Sequence, residues 1–286
     1  MIDLHTHSSI SDGSESPTKV VELAKAAKCS SIALTDHDTF EGLAEATKRA
    51  EELEINLVPG VEVSCTYPTG TMHLLVYFCK DNNSPLGVAM TQMQEARHAR
   101  NLQLIELMSS DGIDISYEDL VIESGPKGVG RPHFAAIMLK RGLVSSIDEA
   151  FSMYLDHDKK YYIEKFTFEP KDMIALALDS GGLPVLAHPY TLANDKGAVP
   201  AIIEELASYG LCGLEAYYGR YTPSQRAKLV DIAHTNSLIP TGGSDFHGSY
   251  KPDLKIGIGR GDLVVADEVL LRLSDRHAQL VKESSQ

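Results

Sequence analysis

The sequence has no long hydrophobic run and few cysteines. Its longest apolar runs extend over only a few residues, so no segment is long enough to cross a bilayer as a helix. Residues 1–5 lack the basic and apolar regions of a signal peptide, which makes the cytoplasm the expected compartment. The four cysteines form no Cys-x-x-Cys pair and lie in apolar surroundings, which predicts reduced, buried thiols.

Basic residues are also scarce. Lys and Arg together number 26 against 40 Asp and Glu, which gives a formal net charge of −14 at pH 7. A surface of that sign repels nucleic-acid backbones and anionic lipid, so we expect no tight binding to duplex DNA or to membranes. A phosphate ester can still be bound where metal ions or local side chains supply positive charge.

The rest of the composition is that of a soluble globular protein with a substantial core. The 286 residues are 43% hydrophobic and 23% charged, and this length fits two domains of about 150 residues or one large α/β barrel. Short β-rich runs alternate with longer helical patterns, which predicts parallel βαβ units. The strand candidates are residues 2–5, 31–35, 56–63, 72–79, 183–187, 213–216 and 239–243.

One long stretch breaks this alternation. From about residue 85 to residue 168, apolar residues recur with helical period and almost no strand signal is present. We therefore predict an α/β domain with a small inserted helical domain, divided as 1–98, 99–168 and 169–286. The Gly-rich run at residues 125–130 predicts a flexible connector within the insertion.

Histidines and carboxylates recur at the ends of the strand candidates. His5 and His7 lie two residues apart, so in an extended chain both side chains project to one side and can bind one ion. Parallel strands deliver their carboxyl ends to one face, so we expect these side chains to meet. His73 instead begins a strand candidate, so either that strand is antiparallel or its boundary is wrong. The candidates are His5, His7, Asp12, His37, Glu62, His73, His188, Asp245 and His247.

These residue types indicate bound metal ions. A single histidine at a strand end is more often a hydrogen-bonded core residue, but six of the eleven histidines at strand ends favour a shared site. Imidazoles with carboxylates and without thiolates suit zinc, manganese or iron. The ligand count exceeds one tetrahedral ion, and two or three divalent ions would balance the carboxylate charge.

The candidate ligands fall within short motifs. In chain order these are DLHTHS, TDHD, PGVE, the isolated His73, AHP and GSDFH. Together they resemble the polymerase and histidinol phosphatase (PHP) superfamily of metal-dependent phosphoesterases. The GRPH segment at residues 130–133 is similar to the branch that dephosphorylates nucleoside 3′,5′-bisphosphates and trims short RNA from the 5′ end. The resemblance implies a distorted (β/α)7 barrel, the PHP fold, with an inserted small helical domain and a trinuclear metal cluster at one mouth.

The resemblance also implies how the ligands divide among three ions. The first ion is held by His5, His7, Glu62 and Asp245. The second is held by Glu62, His73 and His188, and the third by Asp12, His37 and His247. Glu62, Asp245 and His188 are the implied catalytic residues. A hydroxide that bridges two ions about 3.5–4 Å apart is expected to attack phosphorus, because metal coordination lowers the pKa of water from 15.7 to about 7.

Substrate recognition is expected outside the ligand set. An arginine fork can hold a phosphate bidentately, and the resemblance favours Arg131 and His133 as residues that read a 3′-phosphate. From sequence alone, Arg131 fits a surface charge and His133 an ordinary helical residue. Tyr217 and Tyr218 fit either a base-stacking pocket or packing beneath a loop.

Two other kinds of hydrolase, and a structural metal site, share part of this pattern. A histidinol-phosphate-type phosphatase is the nearest alternative within the superfamily, and the GRPH segment argues against it. An amidohydrolase that cuts C–N bonds also opens with His-x-His on its first strand. Such enzymes usually bridge their metals with a lysine, and no lysine ends a strand candidate here. A structural metal site is disfavoured because such sites are usually small, closed and Cys-rich.

Overall fold

The sheet of this protein contains seven strands in chain order. The computed structural model describes residues 1–68, 72–124, 129–193 and 195–283. All seven predicted strands are present, and neighbours in sequence are neighbours in the sheet. The strands are β1 (Ile2–Asp3), β2 (Ser31–Leu34), β3 (Asn56–Cys65), β4 (Met72–Tyr77), β5 (Leu183–Leu186), β6 (Gly213–Tyr218) and β7 (Ile239–Gly243).

The first and last strands approach each other, so the sheet nearly closes into a barrel. The backbone N–H of Leu4 donates to the carbonyl of Gly242 at 3.2 Å, and that of Asp245 donates to the carbonyl of His5 at 2.9 Å. The approach is so close that a Cβ atom on Gly243 would lie 2.4 Å from the backbone nitrogen of His5. The glycine is therefore needed for β1 to lie against β7.

Strand β4 alone runs against the others. It pairs antiparallel with β3 and with β5, whereas the remaining neighbouring pairs are parallel. The amino end of β4 therefore lies at the same edge as the carboxyl ends of the other strands. This direction explains His73: its strand is antiparallel, which was one of the two alternatives left by the sequence.

Helices flank the strands, and their ends follow the capping signals of the sequence. Helix α1 starts with Ser16 as N-cap, whose side chain accepts from the N–H of Lys19, and α9 starts with a capping box between Thr222 and Gln225. Among the described residues the helices are α1 (Pro17–Ala26), α2 (Leu43–Glu52), α3 (Pro85–Ser110), α4 (Tyr117–Ser124), α5 (Arg131–Lys140), α6 (Ile147–Ala150), α7 (Pro170–Asp179), α8 (Val199–Ser208), α9 (Pro223–Thr235) and α10 (Asp267–Glu283).

The chain divides into two compact units. The barrel unit comprises residues 1–90 and 167–286, and the helical unit comprises residues 91–166. These divisions differ by eight and two residues from those predicted, and independent folding of the insertion stays a prediction. The helical unit has its own core, built around the fully buried Phe134, Met138 and Leu155. Residues 125–128 of the predicted connector lie outside the described residues.

The structure also bears on the predictions about membrane-spanning segments and about the four cysteines. Within the described ranges, the chain contains no helix of the length and hydropathy needed to cross a membrane. All four cysteine side chains are buried thiols, as predicted. Burial raises the pKa of Cys29 to about 12, which keeps this thiol protonated and unreactive at neutral pH.

Candidate metal centre

Six histidines and three carboxylates converge at the edge of the sheet where the parallel strands end. These are the nine residues predicted from the sequence, and ring nitrogens and carboxylate oxygens face one another. All except Asp12, His37 and His73 are nearly inaccessible to solvent. The contributing positions are His5, His7 and Asp12 after β1, His37 after β2, Glu62 in β3, His73 in β4, His188 after β5, and Asp245 and His247 after β7.

Three overlapping groups can each surround one ion, because their ligand atoms lie within 4.8 Å of one another. We name them groups A, B and C. Group A is His5, His7, Glu62 and Asp245; group B is His37, Glu62 and His73; group C is His7, Asp12, His37 and His247. Group A is the set implied for the first ion. Group C contains the set implied for the third ion together with His7.

His188 is placed beside group B by its contact with Glu62. Its Nε2 lies 2.8 Å from Oε1 of Glu62, and its ring centroid lies 5.2 Å from that of His73. His37 faces both ways, with Nε2 at 3.4 Å from Glu62 and 3.6 Å from Asp12. The predicted division of ligands among three ions therefore stays a prediction, with His37 shared between groups B and C.

Glu62 lies at the centre of the arrangement. Its Oε1 faces Nδ1 of His73 at 2.9 Å and Nε2 of His188 at 2.8 Å. Its Oε2 faces Nε2 of His5 at 3.1 Å and Nε2 of His7 at 3.0 Å. Oε2 is thus directed to group A and also to His37 at 3.4 Å, whereas Oε1 is directed to His73 of group B and to His188. The two oxygens face different sets of histidines, as a bridging carboxylate requires.

Burial and neighbouring charge favour the protonation states that bind metal at several positions. Burial lowers the pKa of His7 to about 3 and that of His73 to about 4, so both rings are neutral at pH 7. Burial alone would raise the pKa of Glu62 and Asp12. The positive charge of nearby histidines, of which His37 has the largest effect, instead holds both pKa values well below their usual range. Neutral imidazoles and ionised carboxylates are the forms that coordinate metal ions.

The pKa values of His5 and His188 are raised, whereas those of His7 and His73 are lowered. Burial by itself lowers the pKa of each ring, but nearby carboxylates outweigh burial and raise the pKa of both. For His5 these carboxylates are Glu215, Glu62 and Asp245, in that order. A proton held on such a ring must leave before the nitrogen can coordinate an ion, so metal binding at these positions releases protons.

The donor set fits divalent metal ions. Nε2 of His5 and Nε2 of His7 lie 3.1 Å apart, so the two nitrogens can share either a proton or a cation. Among the described residues, the buried Nδ1 atoms of His7 and His37 have no hydrogen-bond partner, although Oδ1 of Asp12 lies 3.4 Å from Nδ1 of His7. This is an unusual condition for buried polar atoms. A cation between such nitrogens satisfies the lone pairs together, and nitrogen with carboxylate oxygen is a set that zinc, manganese and iron accept.

Three residues that contact the ligands were not recognised from the sequence as part of the site. Glu215 accepts from Nδ1 of His5, and Oδ2 of Asp245 accepts from the hydroxyl of Tyr218 and from the ammonium of Lys251, both at 2.7 Å. Tyr218 is buried and bound to a candidate ligand, and its stacking on a base stays a prediction. No local motif marks these residues, because Glu215 and Tyr218 lie inside an apolar strand and Lys251 lies in a loop.

The two predicted substrate residues lie in the helical unit, at the start of α5. Arg131 donates to the carbonyl of Leu155 at 3.1 Å, and its guanidinium lies 5.1 Å from the ring centroid of Tyr162. Nδ1 of His133 accepts from the backbone N–H of Gly130 at 3.0 Å, which stabilises the start of the helix. This capping contact gives His133 a structural role, and its predicted contact with substrate stays a prediction.

Arg131 belongs to a group of arginines. Burial, followed by the charges of Arg131 and Arg97, lowers the pKa of Arg100 to about 10. Arg100 is buried, and its Nε lacks a hydrogen-bond partner among the described residues. The charges of Arg131 and Arg97 therefore act on the buried Arg100 and make this part of the helical unit locally positive.

Comparison with known proteins identifies a matching family and two similar relatives. The PHP domain family matches residues 3–182. A 3′,5′-nucleoside bisphosphate phosphatase of Chromobacterium violaceum is 30% identical over 257 residues, which are 90% of this chain and 90% of the relative. A 5′-3′ exoribonuclease of Haemophilus influenzae is 32% identical over 246 residues, which are 86% of this chain and 89% of the relative.

Solved structures agree on the fold. A candidate metal-dependent phosphoesterase from Bifidobacterium adolescentis is similar with a TM-score of 0.79 at 29% identity, over 96% of both chains. A Chromobacterium violaceum protein described as an amidohydrolase is similar with a TM-score of 0.78 at 28% identity, over 95% of this chain and 96% of the other. The predicted barrel architecture is therefore confirmed.

Proposed function

The chain belongs to the PHP domain family and is a hydrolase of phosphoric esters, and we propose that it removes the 5′-phosphate from nucleoside 3′,5′-bisphosphates. Adenosine 3′,5′-bisphosphate, converted to AMP, is the reference substrate. Short 5′-phosphorylated RNA is a second substrate of the same site. The observation that carries the proposal is the convergence of eight potential metal ligands in three groups that share Glu62, His7 and His37, with His188 beside them.

The ligand groups would hold two or three divalent ions, with manganese, iron and zinc as the candidates. Such ions supply a nucleophile at neutral pH and neutralise the charge on the phosphoryl oxygens. Glu62, Asp245 and His188 are the residues that we assign to catalysis. Glu62 would join groups A and B, because its Oε2 faces His5 of group A and its Oε1 faces His73 of group B.

Other contacts fix Asp245. Its Oδ1 faces the rings of His5 and His7 at 3.5 Å, while Tyr218 and Lys251 both donate to Oδ2. One carboxylate oxygen is thereby left to face group A and the other is held in place. The carboxylate cannot rotate without breaking two short hydrogen bonds, so its ligand oxygen is preorganised.

Recognition of the second phosphate is assigned to the helical unit. Arg131 is half-buried, and its contacts with Leu155 and Tyr162 restrict the side chain before any ligand binds. The repulsion among Arg97, Arg100 and Arg131 would fall on binding a dianionic phosphate. We assign Arg131 and His133 to the 3′-phosphate, with Arg100 as a supporting cation.

The amidohydrolase alternative would require a different bridging group. The lysine that reaches the ligand set, Lys251, donates to Asp245, and the oxygens directed to groups A and B are those of Glu62. This geometry favours phosphoric ester hydrolysis over C–N cleavage. A histidinol-phosphate-type phosphatase would use the same ligand set, so only the substrate assay separates it from the proposed activity.

The test is phosphate release after chelation and reconstitution with manganese. Adenosine 3′,5′-bisphosphate is compared with AMP, histidinol phosphate, a short 5′-phosphorylated RNA and a panel of N-acyl amides. The proposal expects the highest kcat/KM for the bisphosphate. A preference for histidinol phosphate or for an amide would refute it.

Replacement of Arg131 tests recognition of the second phosphate. A hydrogen bond to a charged group contributes about 1.5–3 kcal/mol, so Arg131→Ala should raise KM for the bisphosphate by about 10–100-fold. The KM for a simple 5′-monophosphate should barely change. Arg141→Ala, which removes an exposed arginine of the same unit paired with Asp119, is the matched control. Equal losses on both substrates would count against the assignment.

A further inference from the structure

Strand β6 contains an irregularity that directs two side chains toward the metal ligands. Glu215 pairs with Thr241 and Tyr217 pairs with Gly242, so Ala216 is an extra residue opposite no partner. In a regular strand, residues three apart project from opposite faces. The bulge resets this alternation, and both Glu215 and Tyr218 reach the ligand set.

Glu215 uses both of its oxygens on residues of the ligand set. The side chain is fully buried. Nδ1 of His5 donates to Oε1 at 2.8 Å, and the backbone N–H of His188 donates to Oε2 at 2.7 Å. The carboxylate therefore joins a ligand from β1 to a ligand from β5, although it is not one of the nine potential ligands.

The contact between Glu215 and His5 determines which ring nitrogen of His5 is available to coordinate a metal ion. A histidine whose Nδ1 carries the proton has its lone pair on Nε2. Nε2 of His5 is the atom that faces Glu62, His7 and Asp245 in group A. A carboxylate behind Nδ1 also increases the basicity of the coordinating nitrogen and fixes the orientation of the ring.

The contact with His188 holds a backbone that is otherwise unfavourable. His188 has φ 26° and ψ 61°, which lies in the left-handed region that side chains other than glycine rarely adopt. Conformations of this kind cost about 1–3 kcal/mol each and persist where the surroundings enforce them. The hydrogen bond to Glu215 is one such constraint, and it directs the His188 ring to Glu62.

We propose that Glu215 is a positioning residue, which fixes His5 as the Nδ1–H tautomer and holds the His188 backbone so that both rings present Nε2 to the metal site. The inference rests on the proposed metal-dependent function. It goes beyond that function because it assigns a role to a residue that binds neither metal nor substrate.

Glu215→Gln is the sharpest variant, because glutamine keeps the size of the side chain and has one accepting oxygen. If that oxygen accepts from the His188 N–H, the amide NH₂ faces Nδ1 of His5. His5 must then carry its proton on Nε2, where the proton blocks coordination. Loss of such an orienting partner typically weakens metal binding by about 10–100-fold.

The first measurement is zinc affinity by competition with a chelating dye, together with metal stoichiometry. The matched control is Glu204→Gln, which changes an exposed glutamate on α8. We expect Glu215→Gln to bind at least one zinc about 10–100-fold more weakly, while the control matches the unmodified protein. A Glu215→Gln protein that has a native circular dichroism spectrum and unchanged zinc affinity would overturn the inference.

The second measurement does not depend on the variant. Long-range ¹H–¹⁵N spectra of the ¹⁵N-histidine-labelled, zinc-loaded protein report which ring nitrogen is protonated, and His5→Asn identifies the His5 signals. We expect Nδ1–H on His5, and a proton on Nε2 would overturn the inference even if Glu215→Gln did not fold. A protein that binds none of zinc, manganese and iron would refute the proposed metal centre itself, and with it the role of Glu215.

Discussion

Replacement of Glu62 by glutamine probes the centre of the metal site. Glu62 is almost fully buried, and its two oxygens face five histidine rings at 2.8–3.4 Å. Glu62→Gln retains the size of the side chain but removes one negative charge and one accepting oxygen. Either group A or group B must therefore face an amide NH₂ in place of a carboxylate oxygen.

The expected loss of metal affinity in Glu62→Gln depends on how many ligand groups contain Glu62. Loss of a residue that only orients a ligand costs about 10–100-fold in metal affinity, which is about 1.4–2.7 kcal/mol. Glu62 is itself a potential ligand in both group A and group B, so we expect metal affinity to fall by at least about 100-fold at each. If turnover needs both ions, the product of the two losses is on the order of 10⁴-fold.

The assay measures metal content and turnover in the same preparation. Elemental analysis after reconstitution with manganese gives the number of ions, and p-nitrophenyl phosphate hydrolysis gives kcat. The exposed Glu204 on α8 provides the control variant Glu204→Gln, and circular dichroism establishes that each protein is folded. A folded Glu62→Gln protein with full metal content and full turnover would refute the assignment of this residue as the bridge.

Two further outcomes are expected. Removal of metal by a chelator should lower Tm by about 8–16 °C in differential scanning calorimetry. The reason is that a ligand at 1,000 times its Kd stabilises the folded state by about 4.1 kcal/mol, and each kcal/mol shifts Tm by about 2–4 °C in a protein of this size. An unchanged Tm would argue against metal binding. Phe134→Ala should destabilise the helical unit by about 3–5 kcal/mol, measured as a lower urea midpoint, while zinc affinity of the barrel unit is retained. A midpoint equal to that of the unmodified protein would contradict this core assignment.

Most of the barrel and most of the nine candidate ligands could be identified from the sequence because the strands and the motifs at their ends carry local signals, whereas His73 is isolated and was assigned as a ligand through the family resemblance. Histidine is rare at strand ends by chance, and the repeated occurrence of His5, His37, His188 and His247 at such positions was informative before any geometry was known. The strands themselves are short apolar runs between helix caps such as Ser16. Local chemistry and position along the chain were therefore enough for this part.

The orienting residues could not be found in the same way. Alternation along β6 assigns Glu215 and Tyr217 to one face and Tyr218 to the other, and only the register with β7 reveals the extra residue Ala216. Lys251 follows Asp245 by six residues in a loop, where no periodicity applies. These contacts depend on pairing between distant segments, which the sequence of one strand does not encode.

The arginines of the helical unit illustrate the same limit. Arg97 and Arg100 lie on α3, where charged side chains alternate with apolar ones and a solvated helix surface is the ordinary interpretation. Their proximity to Arg131 depends on how the helices pack within the unit. The GRPH segment at the start of α5 carries a recognisable pattern, whereas the two arginines on α3 carry none.

The distribution of charge reconciles an acidic protein with an anionic substrate. The net charge of −14 repels polyanions over long range, but screening limits that repulsion to about 8 Å at physiological ionic strength. In the barrel unit, divalent ions would reverse the sign of the carboxylates, and the helical unit separately carries Arg97 and Arg131, whose charges lower the pKa of the buried Arg100. Under the proposed function, ions bound in the barrel unit would thus supply positive charge to a small phosphate ester, whereas a long duplex would remain exposed to the acidic surface. The same reasoning favours small nucleotides and short RNA over DNA as substrates.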